Sequence, residues 1–222
     1  MANPKRHFFV LGLGTFGGAL AVRLAENGCR VTGVDVNQGL VEALKENLYE
    51  AVIANVGDRS AIEQLGLAAA DAVFISLGED LAPSLLATLH AKEVGVKRII
   101  VKGITGEHGK ILHALGVERV VFPEIEIART LADQMTWPNV LDYVPIDPEH
   151  SVVEMIVPES LVGESLLEAD LRRRFNVWVV GIKDALTGKF HMLPGPDFRF
   201  NDDQMLVLVG KKNDLNRLRE FK

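Results

Sequence analysis

The chain has 222 residues, more than one typical domain of about 100–150 residues and fewer than two large ones. Hydrophobic residues make up 48% and charged residues 24%, a balance that suits a globular protein with a sizeable core. The net charge of −6 argues against a general nucleic-acid binder, which needs cations clustered along a phosphate backbone. Cys29 is the single cysteine, so there is no internal disulfide and a reducing interior fits best. The opening "MANPKRHFFVLGLGTFGG" puts two cations before an apolar stretch. Glycines break that stretch at once and no small-residue cleavage site follows, unlike a signal peptide. No uncharged apolar run approaches the roughly 18–20 residues that span a bilayer. The expected location is the cytosol, with any action at a membrane exerted by docking to another protein.

Six short apolar runs are predicted as strands: His7–Leu11, Arg30–Val34, Ala51–Ala54, Ala72–Leu77, Arg98–Val101 and Arg119–Phe122. Each is nearly continuous in aliphatic or aromatic residues, as in strands covered on both faces. Between them, 17–27, 39–48, 60–65, 82–94 and 109–115 carry apolar residues at helical spacing. This alternation predicts an α/β domain with a Rossmann-like, doubly wound parallel sheet. "EIEIARTLADQMTW" (124–137) follows, with apolar residues spread over more than a one-sided stripe. It reads either as a helix packed on its own sheet or as a crossover helix also buried against a partner subunit. Pro138, Pro145, Pro148 and "DPEHS" mark a linker. Beyond it, "SVVEMIV", "VWVVGIK" and "DQMLVLVG" read as strands, "SLLEADLRRRF" as one helix and "KKNDLNRLREF" as a closing helix, giving a small α+β unit.

The turn after the first strand reads Gly12-Leu-Gly14-Thr15-Phe16-Gly17. In a dinucleotide-type loop the first glycine makes the turn, the second admits a pyrophosphate and the third lets the helix pack closely; the helix N-terminus then faces the phosphates. Asp35 ends the next strand, the position from which a carboxylate holds ribose hydroxyls and repels a 2′-phosphate. Other strand ends point to the same crevice. Asn55 either reaches an adenine edge or simply forms a turn. Gly78, after Leu77, permits close ligand approach. Lys102 either meets phosphates or is a solvated surface lysine. Glu124, at a helix start, either complements the helix dipole or reaches a divalent cation held by phosphates.

Reactive constellations are missing from this pattern. A short-chain dehydrogenase needs Tyr-xxx-Lys, yet four residues after Tyr49 and Tyr143 stand Ile53 and Asp147. There is no G-x-S-x-G, HExxH, CxxC or P-loop. His108 and His113 are five apart, unlike the i, i+4 pair of a helical zinc site. His150 and His191 lie in turn-like stretches. A nucleotide site without evident chemistry points to a sensor and not an enzyme. The rival reading is an NAD-dependent soluble oxidoreductase or redox sensor with an unrecognised substrate.

Taken in order, "FFVLGLGTFGGALAVRLAENGCRVTGVDVN", "AVIANVGD", "VFISLGED", "LLATLHAKEVGV", "VKG", "LGVERVVFPEIEIA" and "NVLDY" cover essentially the whole chain. The set closely resembles the cytosolic RCK-type regulatory subunits of Ktr/Trk potassium-uptake systems. The resemblance implies a nucleotide-binding domain with a crossover helix (1–141) and a small C-terminal domain (142–222). It implies an octameric ring assembled from dimers, peripheral to the inner face of the membrane, beneath a potassium-translocating subunit. Exchange of ATP for ADP, or NAD(H) in some members, would then alter potassium flux. Family ligand contacts fall on Thr15, Asp35, Val36, Asn37, Asn55, Val56, Leu77, Gly78, Glu79, Lys102, Gly103, Ile104, His108 and Glu124. The last of these is also the position for Mg2+. Where members read "GLGRFGG", with an arginine that reaches the γ-phosphate across the dimer interface, this chain has Thr15. Some family C-terminal domains bind cyclic di-AMP; the matching positions are Leu166, Leu167, Arg172, Phe175 and Pro194. The alternative there is an amphipathic dimer helix with solvated arginines.

Overall fold

A computed structural model describes residues 5–78, 80–136, 140–147 and 149–221. The chain divides into two compact units, Met1–Pro123 and Glu124–Lys222.

The first unit alternates strands and helices: β1 (His7–Leu11), α1 (Thr15–Glu26), β2 (Arg30–Asp35), α2 (Gln38–Leu44), β3 (Glu50–Ile53), α3 (Arg59–Leu65), β4 (Ala72–Ile75), α4 (Leu81–Glu93), β5 (Ile99–Lys102), α5 (Gly106–Ala114) and β6 (Arg119–Val121). All six strands pair in parallel, in the order β3-β2-β1-β4-β5-β6. Alternate residues of one strand feed two separate cores, which is why the runs are apolar throughout. Val10 and Val31 pack with Ala21 of α1 and Val41 of α2. Phe9, Leu11 and Val34 pack with Ile62, Ala87, Ala91 and Leu112 of α3, α4 and α5. The doubly wound fold expected from the sequence is the fold observed.

The order reverses between β1 and β4, and the crevice beyond the strand ends at such a switch point is where open α/β sheets bind ligands. Capping sharpens the strand-to-helix turns around it. Asn37 accepts the Gly39 N–H at 2.9 Å, Asp80 the Ala82 N–H at 3.1 Å and Thr105 the His108 N–H at 3.1 Å.

The second unit contains α6 (Pro123–Thr136), β7 (Val140–Pro145), β8 (His150–Ile156), α7 (Leu166–Ala169), α8 (Leu171–Phe175), β9 (Trp178–Asp184), β10 (Phe190–Met192), β11 (Gln204–Lys211) and α9 (Lys212–Arg219). Its antiparallel sheet runs β10-β9-β11-β8-β7. Leu206, Leu208, Val153 and Met155 pack with Leu171, Phe175, Leu215 and Leu218 in one core. On the opposite sheet face Lys183 pairs with Glu154 at 3.0 Å.

Three local expectations are corrected. The stretch read as a linker contains β7, an edge strand on β8; Pro145 is tolerated because it closes an edge strand. Pro138 and Pro148 lie outside the described residues. The single helix over 165–175 breaks at Asp170, which adopts φ 41°, ψ 46°. Ser165 and Glu168 close a capping box on α7, and Asp170 then ends that helix in the left-handed region before α8 begins. Phe190–Met192 forms a further short edge strand against β9.

Candidate functional site

The turn between β1 and α1 has the geometry that its glycines foretell. Gly12 has φ +96°, and a β-carbon there would run into the Ser76 carbonyl of the turn after β4. A β-carbon at Gly17 would collide with the Gly12 carbonyl, so α1 can approach the loop only without one. Gly14 differs: a β-carbon there meets nothing within 4 Å. Gly14 is also the N-cap of α1 and supplies no side-chain cap. The first-turn N–H groups and the positive end of the helix dipole thus face a place that a phosphate could occupy.

Asp35, half-buried at the end of β2, lies beside this turn. Its Oδ2 accepts the Leu13 N–H at 2.7 Å, and its Oδ1 accepts the Asn37 N–H at 2.8 Å. An ionised carboxylate has about four acceptor directions, which leaves two for a pair of ribose hydroxyls. Val36 is 65% exposed beside it. The Asn37 side chain is committed to capping α2. Asn55 is exposed, and its Oδ1 accepts the Gly57 N–H at 3.0 Å. Val56 is buried in the core, which leaves only its backbone for a ligand.

Across the switch point Leu77 is half-buried and packs on the core. Gly78 is exposed, with no atom within 4 Å of an added β-carbon. Glu79 lies outside the described residues. Lys102 is half-buried at the end of β5. With Phe16, Ser76, Phe74 and Ile100 it lines a cavity of about 370 Å³. Gly103 has a packing reason as well: a β-carbon there, or at Gly109, would overlap the Phe122 ring. Ile104 is half-buried, and its N–H donates to His108 Nδ1 at 3.3 Å.

His108 is fully buried, with Nε2 lacking a hydrogen-bond partner among the described residues. Burial pushes its pKa below the usual histidine range. The Ile104 bond makes Nδ1 the acceptor and Nε2 the protonated nitrogen of a neutral ring. Its direct contact is thus with the Lys102–Ile104 turn, which it fastens to α5. Glu124 stands in the first turn of α6, in the second unit. Thr15 is exposed in the first turn of α1.

The loop, Asp35, Val36, Asn37, Asn55, Leu77, Gly78 and Lys102 therefore all stand at or just beyond the carboxyl ends of the strands. Ser76 belongs with them although sequence reasoning passed over it. Its carbonyl occupies the space that a β-carbon at Gly12 would need, a close approach made across the sheet that no local pattern encodes.

In the second unit, Leu167 is exposed and its N–H donates to the Pro196 carbonyl at 2.9 Å, while Leu166 and Pro194 are half-buried. The Arg172 guanidinium stacks 3.9 Å from the Trp178 ring centre. Phe175 is buried in the core.

The TrkA-N domain matches residues 8–123 and the TrkA-C domain residues 152–222. Ktr system potassium uptake protein C of Bacillus subtilis (strain 168) is 34% identical over 214 residues, 96% of each chain. The chain belongs to the Ktr/TrkA family. Ktr system potassium uptake protein A of Vibrio alginolyticus is 29% identical over the full length of both chains. Among solved structures, the GsuK channel superposes on the whole chain with a TM-score of 0.69 at 19% identity. The chain spans 40% of that channel's length, so this likeness concerns the fold. No helix among the described residues is long and apolar enough to cross a membrane.

Proposed function

We propose that this chain is a nucleotide-sensing, non-catalytic regulatory subunit of a potassium-uptake system. The observation that carries the reading is the pairing of an uncapped α1 N-terminus at Gly14 with the Asp35 carboxylate, at the switch point of a Ktr/TrkA-family sheet. The adenosine ribose would be held by Asp35, and the phosphates by the α1 amides and Lys102. ATP, ADP or NAD(H) fits this division of labour, and Mg2+ would accompany the phosphates of ATP or ADP. Bound nucleotide would supply negative charge and a rigid link between strand ends, and its exchange would bias a two-state assembly.

That assembly is a ring built from dimers, an octamer in the full form, resting on a membrane potassium-translocating partner. Ile127, Leu131 and Met135 on α6, at four-residue spacing, are 68%, 52% and 76% exposed, an apolar face suited to a second copy of this chain. Calorimetric titration with ATP, ADP and NAD, combined with native mass determination, tests the proposal. Binding of at least one nucleotide by a particle that is a multiple of the dimer is expected. A monomer that binds none of the three would overturn it.

A further inference from the structure

A nucleotide's ribose and phosphates must be held at a fixed separation, and two segments of this chain meet them: the end of β2 and the turn before α1. One carboxylate joins those segments. Asp35 Oδ2 takes the Leu13 N–H at 2.7 Å, in the middle of the glycine turn, and Oδ1 takes the Asn37 N–H at 2.8 Å. The neighbouring Gly12 N–H donates to the Val34 carbonyl at 2.7 Å. The Gly12 and Leu13 amides are thus both tied to β2, but only that of Leu13 depends on a side chain. The Leu13 side chain is buried in the core under α1 and α2, so the residue has little freedom except at its amide.

Taking the nucleotide reading above as its basis, we infer that Asp35 also positions the phosphate turn, coupling the ribose and phosphate subsites through one side chain. Loss of Asp35 then weakens ligands that have no ribose at all. Simple electrostatics gives the opposite sign, because removing an anion near bound phosphates removes repulsion. The two effects are separable by direction.

The test uses the full chain as wild type, Asp35→Ala and Asp35→Asn, with inorganic pyrophosphate and ADP as probes in calorimetry and amide exchange read across residues 9–18. In Asp35→Ala, exchange at Leu13 is expected to quicken about tenfold or more, with Phe9–Leu11 unchanged, as for loss of one charge-assisted hydrogen bond. Pyrophosphate affinity should fall about threefold or more despite the lost repulsion. Asp35→Asn keeps the volume but has one acceptor oxygen for two N–H groups, so it should weaken pyrophosphate less and serves if the alanine variant fails to fold. Unchanged exchange at Leu13, with pyrophosphate held as tightly or more tightly, would overturn the inference and leave Asp35 a ribose ligand only. A wild-type chain that binds neither ADP nor pyrophosphate would overturn the nucleotide reading and the coupling with it. The exchange data would still show whether Asp35 holds the turn.

Discussion

Position 15 carries a hydroxyl at the exposed first turn of α1, where the family resemblance implies that an arginine of some members would reach a γ-phosphate. A charge-assisted contact of that kind contributes about 1.5–3 kcal/mol. A ligand shifts a two-state assembly only by its differential affinity. This chain is therefore expected to bind ATP and ADP comparably without divalent cation, and Thr15→Arg to raise ATP affinity selectively. Calorimetry on both variants, with magnesium and with EDTA, decides this; a wild type already favouring ATP about tenfold in EDTA would show that another group reads the γ-phosphate. His108 gives a pH prediction. Burial lowers its pKa from 6.5 in the folded state. The unfolded chain thus takes up this proton first, so stability rises with pH through that window. The neutral ring's contribution is complete above 6.5 and is lost as pH falls through the folded-state titration. His7, lowered by burial and then by Arg30, acts with the same sign. His108→Asn, which keeps an acceptor for the Ile104 N–H, should flatten the loss of urea midpoint between about pH 7.5 and 5.5. An unchanged slope would contradict this assignment.

Among the elements, the turn after β5 depends on one ring. Phe122 fills the space that β-carbons at Gly103 and Gly109 would take, so Gly109→Ala should displace it. Overpacking of this kind costs about 1–3 kcal/mol, read as a lowered denaturant midpoint with unchanged slope. At the α7–α8 break, Asp170→Gly should be tolerated to within about 1 kcal/mol, whereas Asp170→Val should destabilise by more than that. Equal midpoints for the two variants would mean that the left-handed turn is not maintained in solution. The strands of the first unit were legible because burial on both faces leaves a continuous apolar run such as Phe8–Leu11. β7 was not, since an edge strand can carry Pro145 and polar neighbours that look like a linker. The break at Asp170 was hidden too: every residue of "SLLEADLRRRF" fits a helical period, and a left-handed aspartate leaves no mark in that period.

For the whole molecule, the first unit's alternation of strands and helices in one parallel sheet could be read in advance, and so could the turn at Gly12 and the close approach at Gly17, because both places leave no room for a β-carbon. The roles of Ser76 and of the Leu13 amide could not, because both are contacts between strands distant in sequence. The apolar face of α6 leads to a prediction about assembly: residues 1–141 alone should remain at least dimeric in sedimentation at micromolar concentration. A clean monomer would remove α6 from the interface. The central claim is that nucleotide binding by this chain controls potassium movement through a membrane partner. It is tested most directly by potassium flux in vesicles that hold a Ktr-type translocating subunit together with this chain. Adding the nucleotide it binds should change the flux about fivefold or more, the usual scale of an allosteric coupling, and Asp35→Ala should remove the response. A flux that is the same with and without nucleotide, for a chain shown to be bound to the partner, would contradict the account.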